Sequence, residues 1–353
     1  MIAILFSLAF LATLAGYATY RTIPMSKYLY ANARASARSK DLLTKEQLER
    51  MCDATSFNSF LTYLRDTIYS DCCNVKNARE LHIHLEKKLI NEIMELSKDT
   101  PPEFKRVIDA YIMKFEGKMI KLLMKSKMKD ITIPSDAIYP IGNLTQSRID
   151  ELIRAKTIAD FVVALQRTNF AGLFVKSVPK TWEEAEERID RFVERRMYKR
   201  IREAKIPFAN ELLALWKEKA RANVMLLALR ARLRGVDKEK INELIEYLGF
   251  PELTILNEVK IEEIPNLKNI PFGNIVSKMW EEIMKTKEFG SLELEIDKEF
   301  EKRVSTLSSL KPEGVFPVFE YMIKKNNERK KLQIIGKLIE EGLNAEEIKR
   351  MVI

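Results

Sequence analysis

LTKEQLERMCDATSFNSFLTYLRDTIY, residues 43–69, recurs without a gap as LTQSRIDELIRAKTIADFVVALQRTNF, residues 144–170. In both copies apolar residues recur at spacings of three and four, which indicates two short amphipathic helices rather than strands. Ser56 and Thr157 occupy matching positions, where each would cap the start of the second short helix. The two segments therefore predict an all-α fold that is internally repeated.

A third copy of this segment begins at Val236 and breaks at Pro251. A second pattern recurs further along each copy, at an offset of 105 residues. It consists of an aromatic residue, a lysine, a leucine and finally a basic residue. The matching residues are Tyr111, Lys114, Leu122 and Lys127; Trp216, Lys219, Leu227 and Arg232; Tyr321, Lys324, Leu332 and Lys337. We therefore predict three homologous helical repeats, at residues 25–133, 134–235 and 236–353, with an extra loop at 251–271 in the third.

Helix starts are marked by a recurrent pattern in which a Ser, Thr or Asn precedes a Glu or Gln by three residues. The pattern occurs at Thr44–Gln47, Thr100–Glu103, Thr181–Glu184 and Asn344–Glu347. In the second of these, a proline would occupy the first helical position, directly after Thr100. These signals and the scarcity of glycine and proline, at 11 and 12 residues, favour long helices with few turns.

The N-terminal segment, residues 1–24, is apolar, and its first 20 residues carry no charged side chain. Twenty helical residues span about 30 Å, the thickness of a bilayer core. Since Arg21, Lys27 and Arg34 follow, the positive-inside rule indicates an uncleaved anchor with a cytoplasmic body. Two other interpretations stay open: a cleaved signal, favoured by the small residues near 15–18, and a misplaced start, since Met25 opens a plausible soluble N-terminus.

Motifs for catalysis, cofactor binding and metal binding are missing from the sequence. No GxxxxGK[ST], GxGxxG or GxSxG motif occurs. His82 and His84 point in opposing directions on a helix, and three cysteines give no disulfide framework. The sequence therefore predicts a non-catalytic protein without catalytic residues, cofactor or metal.

The net charge of the chain is +9, and some of its basic residues would lie along one face of a predicted helix as a stripe. The stripe consists of five lysines at helical spacing: Lys114, Lys118, Lys121, Lys125 and Lys129. Like charges at that spacing repel by a few tenths of a kcal/mol per pair, which suggests an acidic partner or phosphate headgroups. The alternative is an ordinary solvated face. Nucleic-acid binding is disfavoured because the charge is spread over three repeats and no reader motif appears.

Three segments carry a family resemblance. They are YLYANAR at 28–34, KEKARANVMLLALRARLRG at 217–235, and EYMIKKNNERKKLQIIGKLIEEGLNAEEIKRMVI at 320–353. Together they resemble the C subunit of archaeal A-type and bacterial V-type ATPases, the counterpart of the d subunit in eukaryotic vacuolar enzymes. Asn223 matches the family's helical asparagine and Glu328 its usual acidic position. Copy one departs from the pattern, with Lys118 where copy two has Asn223.

The resemblance implies a funnel of three helical repeats around a pseudo-threefold axis. It also implies a non-catalytic central-rotor protein that links the central shaft to the membrane rotor ring and transmits torque. We expect peripheral membrane association at the cytoplasmic face of the cell membrane, and one copy in a hetero-oligomeric complex without nucleic acid. The expected partner interface comprises Lys114, Lys118, Lys121, Lys125, Asn223, Arg230 and Glu328. The alternative function is a membrane-anchored helical scaffold unrelated to ATP synthesis.

Overall fold

The computed structural model describes residues 26–267 and 269–352, together with Thr13 and Gly16. In this part of the chain the secondary structure is helical, and the only β-type pairing is an isolated bridge between Ile141 and Leu144. The predicted all-α class is confirmed. The interpretations of residues 1–24 as anchor, signal or misplaced start lie outside the described residues.

Within the described residues, no helix is both long enough and apolar enough to cross a bilayer.

The helices fall into three successive groups after the opening helix α1, Leu29–Ser39. The first group is α2 Lys45–Cys52, α3 Phe57–Arg65, α4 Ala78–Ser97 and α5 Pro102–Lys129. The second is α6 Gln146–Arg154, α7 Ile158–Leu165, α8 Trp182–Glu203 and α9 Ala209–Leu233. The third is α10 Lys238–Leu248, α11 Ile255–Glu258, α12 Gly273–Thr286, α13 Gly290–Leu310 and α14 Phe316–Glu340, and α15, Ala345–Val352, ends it.

The order of two short helices followed by two long helices thus occurs three times in the described chain, with α11 as an addition in the third group. This order agrees with the repeat pattern in the sequence. The repeat boundaries at 133/134 and 235/236 and the funnel shape remain predictions.

Residues 251–271 are not the loop that the sequence predicted. They contain two 3₁₀ turns, Pro251–Thr254 and Ile261–Asn266, on either side of α11. Leu253, Leu256 and Ile264 are buried, so this insertion packs into the core. The prolines that suggested a loop are compatible with 3₁₀ turns because such turns are short.

Helix caps follow the sequence signals at most sites. Thr44, Ser56 and Thr157 each accept a hydrogen bond from the N–H three residues on, in reciprocal capping boxes. Asn344 and Glu347 form the same exchange. The capping box predicted at Thr100 is wrong, because α5 begins after Pro101 and the Thr100 hydroxyl donates to the Ser97 carbonyl instead.

At the predicted start of α8, Thr181 accepts from the N–H of Glu184, as expected. The carboxylate of Glu184, however, accepts from the N–H of Lys180 rather than from that of Thr181. The helix therefore begins where the sequence predicted. The N–H that binds the Glu184 carboxylate belongs to the residue before the predicted one.

The second long helix of each group packs on helices of another group, and we refer to α5, α9 and α14 as the three long helices. Helix α5 lies along α7 and α8, α9 contacts α10, α11 and α13, and α14 closes back on α1 to α4. Two glycines lie at close approaches of these helices: a Cβ on Gly117 would lie 3.1 Å from Val193, and one on Gly336 would lie 3.2 Å from Leu81. The last long helix therefore joins the two ends of the described chain.

Aromatic side chains connect the three long helices to one another. The rings of Tyr111 in α5 and Trp216 in α9 are 6.1 Å apart, and the Trp216 and Phe319 rings are 6.5 Å apart. Both pairs meet edge to face, an arrangement that aromatic rings favour. Tyr321, the sequence match of Tyr111 and Trp216, instead donates a hydrogen bond to Glu92.

Candidate functional site

A cluster of basic side chains lies where the three long helices meet, beside the aromatic contacts. We name it the central basic cluster. Its cations are Lys114 and Lys118 from α5, Lys219 from α9, and Arg329 and Lys330 from α14. Its carboxylates are Glu86 from α4 and Asp297 from α13. Five basic groups therefore face two acidic ones.

Asp297 joins two of the long helices. Lys219 from α9 and Lys330 from α14 both donate to its carboxylate. Burial alone would raise the pKa of Asp297, but the two lysines outweigh it and hold the pKa below its ordinary value. The carboxylate is therefore charged at neutral pH and ties α9, α13 and α14 together.

Glu86 has the corresponding role on the other side of the cluster. It accepts from Lys118 at 2.8 Å and from the Tyr139 hydroxyl at 3.0 Å, and the Nη1 atom of Arg329 lies 3.5 Å away. Burial opposes ionisation, yet Lys118 and Arg329 lower the pKa of Glu86 below its ordinary value. Both carboxylates of the cluster are thus already engaged by basic side chains.

Lys114 differs from the other four cations of the cluster, each of which forms an ion pair with Glu86 or Asp297. Among the described residues no carboxylate lies within ion-pair distance of it, and its Nζ lies 3.7 Å from the centroid of the Tyr111 ring. Burial, and then the neighbouring Lys330, Lys118 and Arg329, lower the pKa of Lys114 well below its ordinary value. The surroundings of Lys114 therefore disfavour its charged form, and no carboxylate of the described residues pairs with it.

Two more polar groups at the cluster have no hydrogen-bond partner. The Tyr111 hydroxyl and the Arg329 Nη1 are both buried and unbonded. Tyr111 is 1% exposed and Arg329 is 4% exposed, so solvent reaches neither side chain freely. Since almost all buried polar groups in native proteins are paired, unbonded donors beside Lys114 call for a functional account.

The five lysines of the stripe predicted from the sequence have different surroundings in the structure. Lys114 and Lys118 join the central basic cluster, whereas Lys121 faces α8 and lies 2.8 Å from Asp190. Lys129 pairs with Glu183, also on α8, at 3.2 Å. Lys125 is exposed, with its Nζ 5.7 Å from the Trp182 ring centroid. For Lys121 and Lys129 an acidic partner is thus supplied by this chain.

The other predicted interface residues lie apart from the cluster. Asn223 is exposed on α9, and Arg230 pairs with Glu293 on α13. Glu328 is buried, where it accepts from the Tyr69 hydroxyl and from the Leu43 N–H. Burial raises the pKa of Glu328, although Lys325 and these hydrogen bonds oppose the increase. Its contacts hold α14 onto the first group of helices.

The carboxylates of the cluster were missed at the level of sequence, although a signal for them exists. Glu86 and Asp190 are each the ninth residue of their helices, α4 and α8, and Asp297 is the eighth of α13. Each bonds to a lysine of a long helix: Lys118, Lys121 and Lys219, respectively. A search of the first long helix of each group for one acidic position would have found all three.

Known proteins resemble this chain over nearly its whole length. The sequence model of the ATP synthase (C/AC39) subunit family matches residues 31–351. The A-type ATP synthase C subunit of Pyrococcus abyssi is 25% identical, over 98% of this chain and 96% of its own length. The C subunits of the A-type ATP synthases of Desulfurococcus sp. and Methanocaldococcus jannaschii are 24% and 23% identical, over 98% and 95% of this chain and 96% and 88% of their own lengths.

Proposed function

The chain belongs to the ATP synthase (C/AC39) subunit family, and we propose from this that it is the central-rotor protein that links the shaft to the membrane rotor ring. In this role it transmits torque, so that ATP synthesis or hydrolysis is coupled to proton or sodium translocation. The single observation that carries the proposal is the family match over nearly the whole chain. The packing of the long helices supports it.

The family is that of an accessory component of the ATP synthase, so the prediction of a non-catalytic chain is confirmed. As such a component, the chain is part of a hetero-oligomeric, membrane-associated complex. We propose that the association with the membrane is peripheral, at the cytoplasmic face. We also propose that the direct partners are the shaft and the ring and that nucleic acid is not bound.

A torque adaptor must resist twisting, and the packing of the described residues suits that task. Helices α5, α9 and α14 have 28, 25 and 25 residues, and they contact each other through aromatic rings. Because α14 also packs on α1 to α4, a load on the last helix passes to the first group of helices. Close-packed interiors have low compressibility and transmit strain.

The proposed shaft interface lies on the exposed parts of α5 and α9. Lys118 and Asn223 occupy matching repeat positions and both are exposed. Lys121, Lys125 and Arg230 extend the same two helices toward their C-termini. Glu328 contributes indirectly in this proposal, because its buried contacts fix α14 beside the other long helices.

The alternative of an anchored scaffold unrelated to ATP synthesis is set aside, because the family match covers residues 31–351. Deletion of the chain tests the proposed function. Cells without it should keep ATP hydrolysis in catalytic heads released to the soluble fraction, whereas their membranes should lose ATP-driven ion pumping, and re-expression of the wild-type chain should restore pumping. Unchanged pumping in the deletion strain would rule out a coupling role.

A purification complements that test. The tagged chain, taken from mildly solubilised membranes, should carry the nucleotide-binding subunits, the shaft and the ring. A tagged unrelated membrane protein from the same cells is the control. Recovery of the chain without shaft or ring proteins would contradict the proposed linkage.

A further inference from the structure

The unmet hydrogen-bond donors of the central basic cluster converge from two helices. The Tyr111 hydroxyl and Lys114 belong to α5, and Arg329 belongs to α14. The Tyr111 hydroxyl has no hydrogen-bond partner, and Lys114 has no carboxylate at ion-pair distance among the described residues. The Arg329 Nη1 also makes no hydrogen bond, and its only contact with a carboxylate is the ion pair with Glu86 at 3.5 Å. The three groups therefore have hydrogen-bonding capacity that the described residues do not use.

The carboxylates of the cluster make their hydrogen bonds to other residues. Glu86 accepts from Lys118 and Tyr139 and forms only an ion pair with Arg329, and Asp297 accepts from Lys219 and Lys330. Burial first, and then Lys330, Lys118 and Arg329, lower the pKa of Lys114, although Asp297 opposes the decrease. Burying a cation without a partner destabilises a protein, so this arrangement lowers the stability of the free chain.

Part of the cluster is exposed to solvent. The side chains of Lys118 and Lys330 are 50% and 36% exposed, and Lys114 is half-buried. Tyr111 and Arg329 lie deeper. Lys118 and Lys330 are therefore the exposed cations of the cluster, and Tyr111 and Arg329 are its buried hydrogen-bond donors.

We propose that the central basic cluster binds an oxyanion, a carboxylate or a phosphate group, between Lys114 and Arg329, with the Tyr111 hydroxyl as a third donor. An oxyanion has several acceptor positions, and charge-assisted hydrogen bonds from Arg and Lys are the strongest that side chains make. Two sources supply this chemistry: free phosphate, or an acidic side chain or C-terminus of the shaft. The second source rests on the proposed function, whereas the first does not.

The first arm of the test uses the purified full-length chain and inorganic phosphate. Calorimetric titration is carried out against a chloride reference of equal ionic strength. We expect the wild-type chain to bind phosphate, Lys114→Met to bind at least about tenfold more weakly, and Tyr111→Phe about fivefold more weakly. Lys105→Met removes an exposed lysine from the same helix, outside the proposed interface, and should leave phosphate binding unchanged.

Stability measurements separate binding from folding. Lys114→Met removes an unpaired cation and Tyr111→Phe removes an unpaired hydroxyl, so neither variant should lower the Tm of the free chain. A structural role for these groups would instead lower the Tm. Loss of phosphate binding with an unchanged or higher Tm is therefore specific to a binding site.

The second arm uses the shaft and distinguishes the two sources. Weaker shaft binding by Lys114→Met than by Lys105→Met, with competition by phosphate, identifies a shaft carboxylate as the ligand. Phosphate binding without any effect of Lys114→Met on the shaft identifies a free anion. The oxyanion site is wrong if neither phosphate nor shaft binding changes in Lys114→Met and Tyr111→Phe. A wild-type chain that fails to bind the shaft contradicts the proposed function, and the phosphate arm then decides the site alone.

Discussion

Glu116 shows how a single buried carboxyl is accommodated without a cation beside it. It is 1% exposed and accepts from the Asn143 N–H at 2.8 Å and from the Asn169 side-chain amide at 3.1 Å. Burial raises the pKa of Glu116 to about 7, even though these two hydrogen bonds favour the ionised form. Gly142, at φ +56°, is required here, because a Cβ would lie 2.4 Å from the Glu116 carboxylate.

The raised pKa makes stability depend on pH. The folded chain holds the Glu116 proton up to about pH 7, whereas an unfolded glutamate releases it near pH 4.5. Stability should therefore fall as the pH rises through this window, by on the order of 2–3 kcal/mol from this group, and then level off. Asp109 and Arg148 are the other charged groups that influence the site.

Glu116→Gln should reduce this pH dependence. Urea unfolding of the wild-type chain and the variant at several pH values from 5 to 8 measures the free energy of unfolding in each. The slope of the variant should be shallower than that of wild type but not zero, because burial also raises the pKa of Glu194 to about 7. Identical slopes in the two proteins would show that Glu116 does not titrate in this window.

Element-level features were predicted well wherever the signal is local. Helix starts at Thr44, Ser56, Thr157 and Asn344 depend on residues three positions apart, and the structure confirms them. What a helix faces depends on tertiary packing instead. The spacing of the α5 lysines therefore predicted a stripe, but could not show that α8 supplies carboxylates to part of it.

The contact between α5 and α8 can be tested by exchanging charges. Lys121→Glu would place a carboxylate beside Asp190 and Glu186, which lie 2.8 and 3.6 Å from the Lys121 ammonium. We expect a loss of about 1–2 kcal/mol of stability in chemical denaturation, because the attraction becomes a repulsion.

Adding Asp190→Lys should recover most of that loss. Lys125→Glu, on the same helix but without an ion pair among the described residues, should cost less than about 0.5 kcal/mol. An equal effect of the two lysine reversals would mean that the overall charge, and not this contact, determines the stability.

At the scale of the whole molecule, the sequence repeats predicted the order of the helices but not which groups pack together. Helices α5 and α9 pack on the group that follows, across the boundaries predicted at 133/134 and 235/236, and α14 packs back on α1 to α4. A repeat alignment defines the period but not the point at which the chain divides into packed units. A repeat alignment also does not predict burial, which depends on tertiary packing. Lys118, Asn223 and Glu328 occupy matching repeat positions, but the first two are exposed and Glu328 is buried. Glu328 is enclosed because α14 closes on α2, α3 and the residues next to them.

If the chain turns with the rotor, a covalent link between it and a ring protein is the most direct test. Cysteine pairs introduced into the chain and a ring protein, at positions that chemical crosslinking of the purified complex identifies as neighbours, can be oxidised in that complex, since the native Cys52, Cys72 and Cys73 are buried. If both partners turn together, ATP-driven ion pumping should be unchanged by the link, whereas a rotor-to-stator link in the same complex should stop it. Loss of pumping on linking the chain to the ring, with recovery on reduction, would contradict the account.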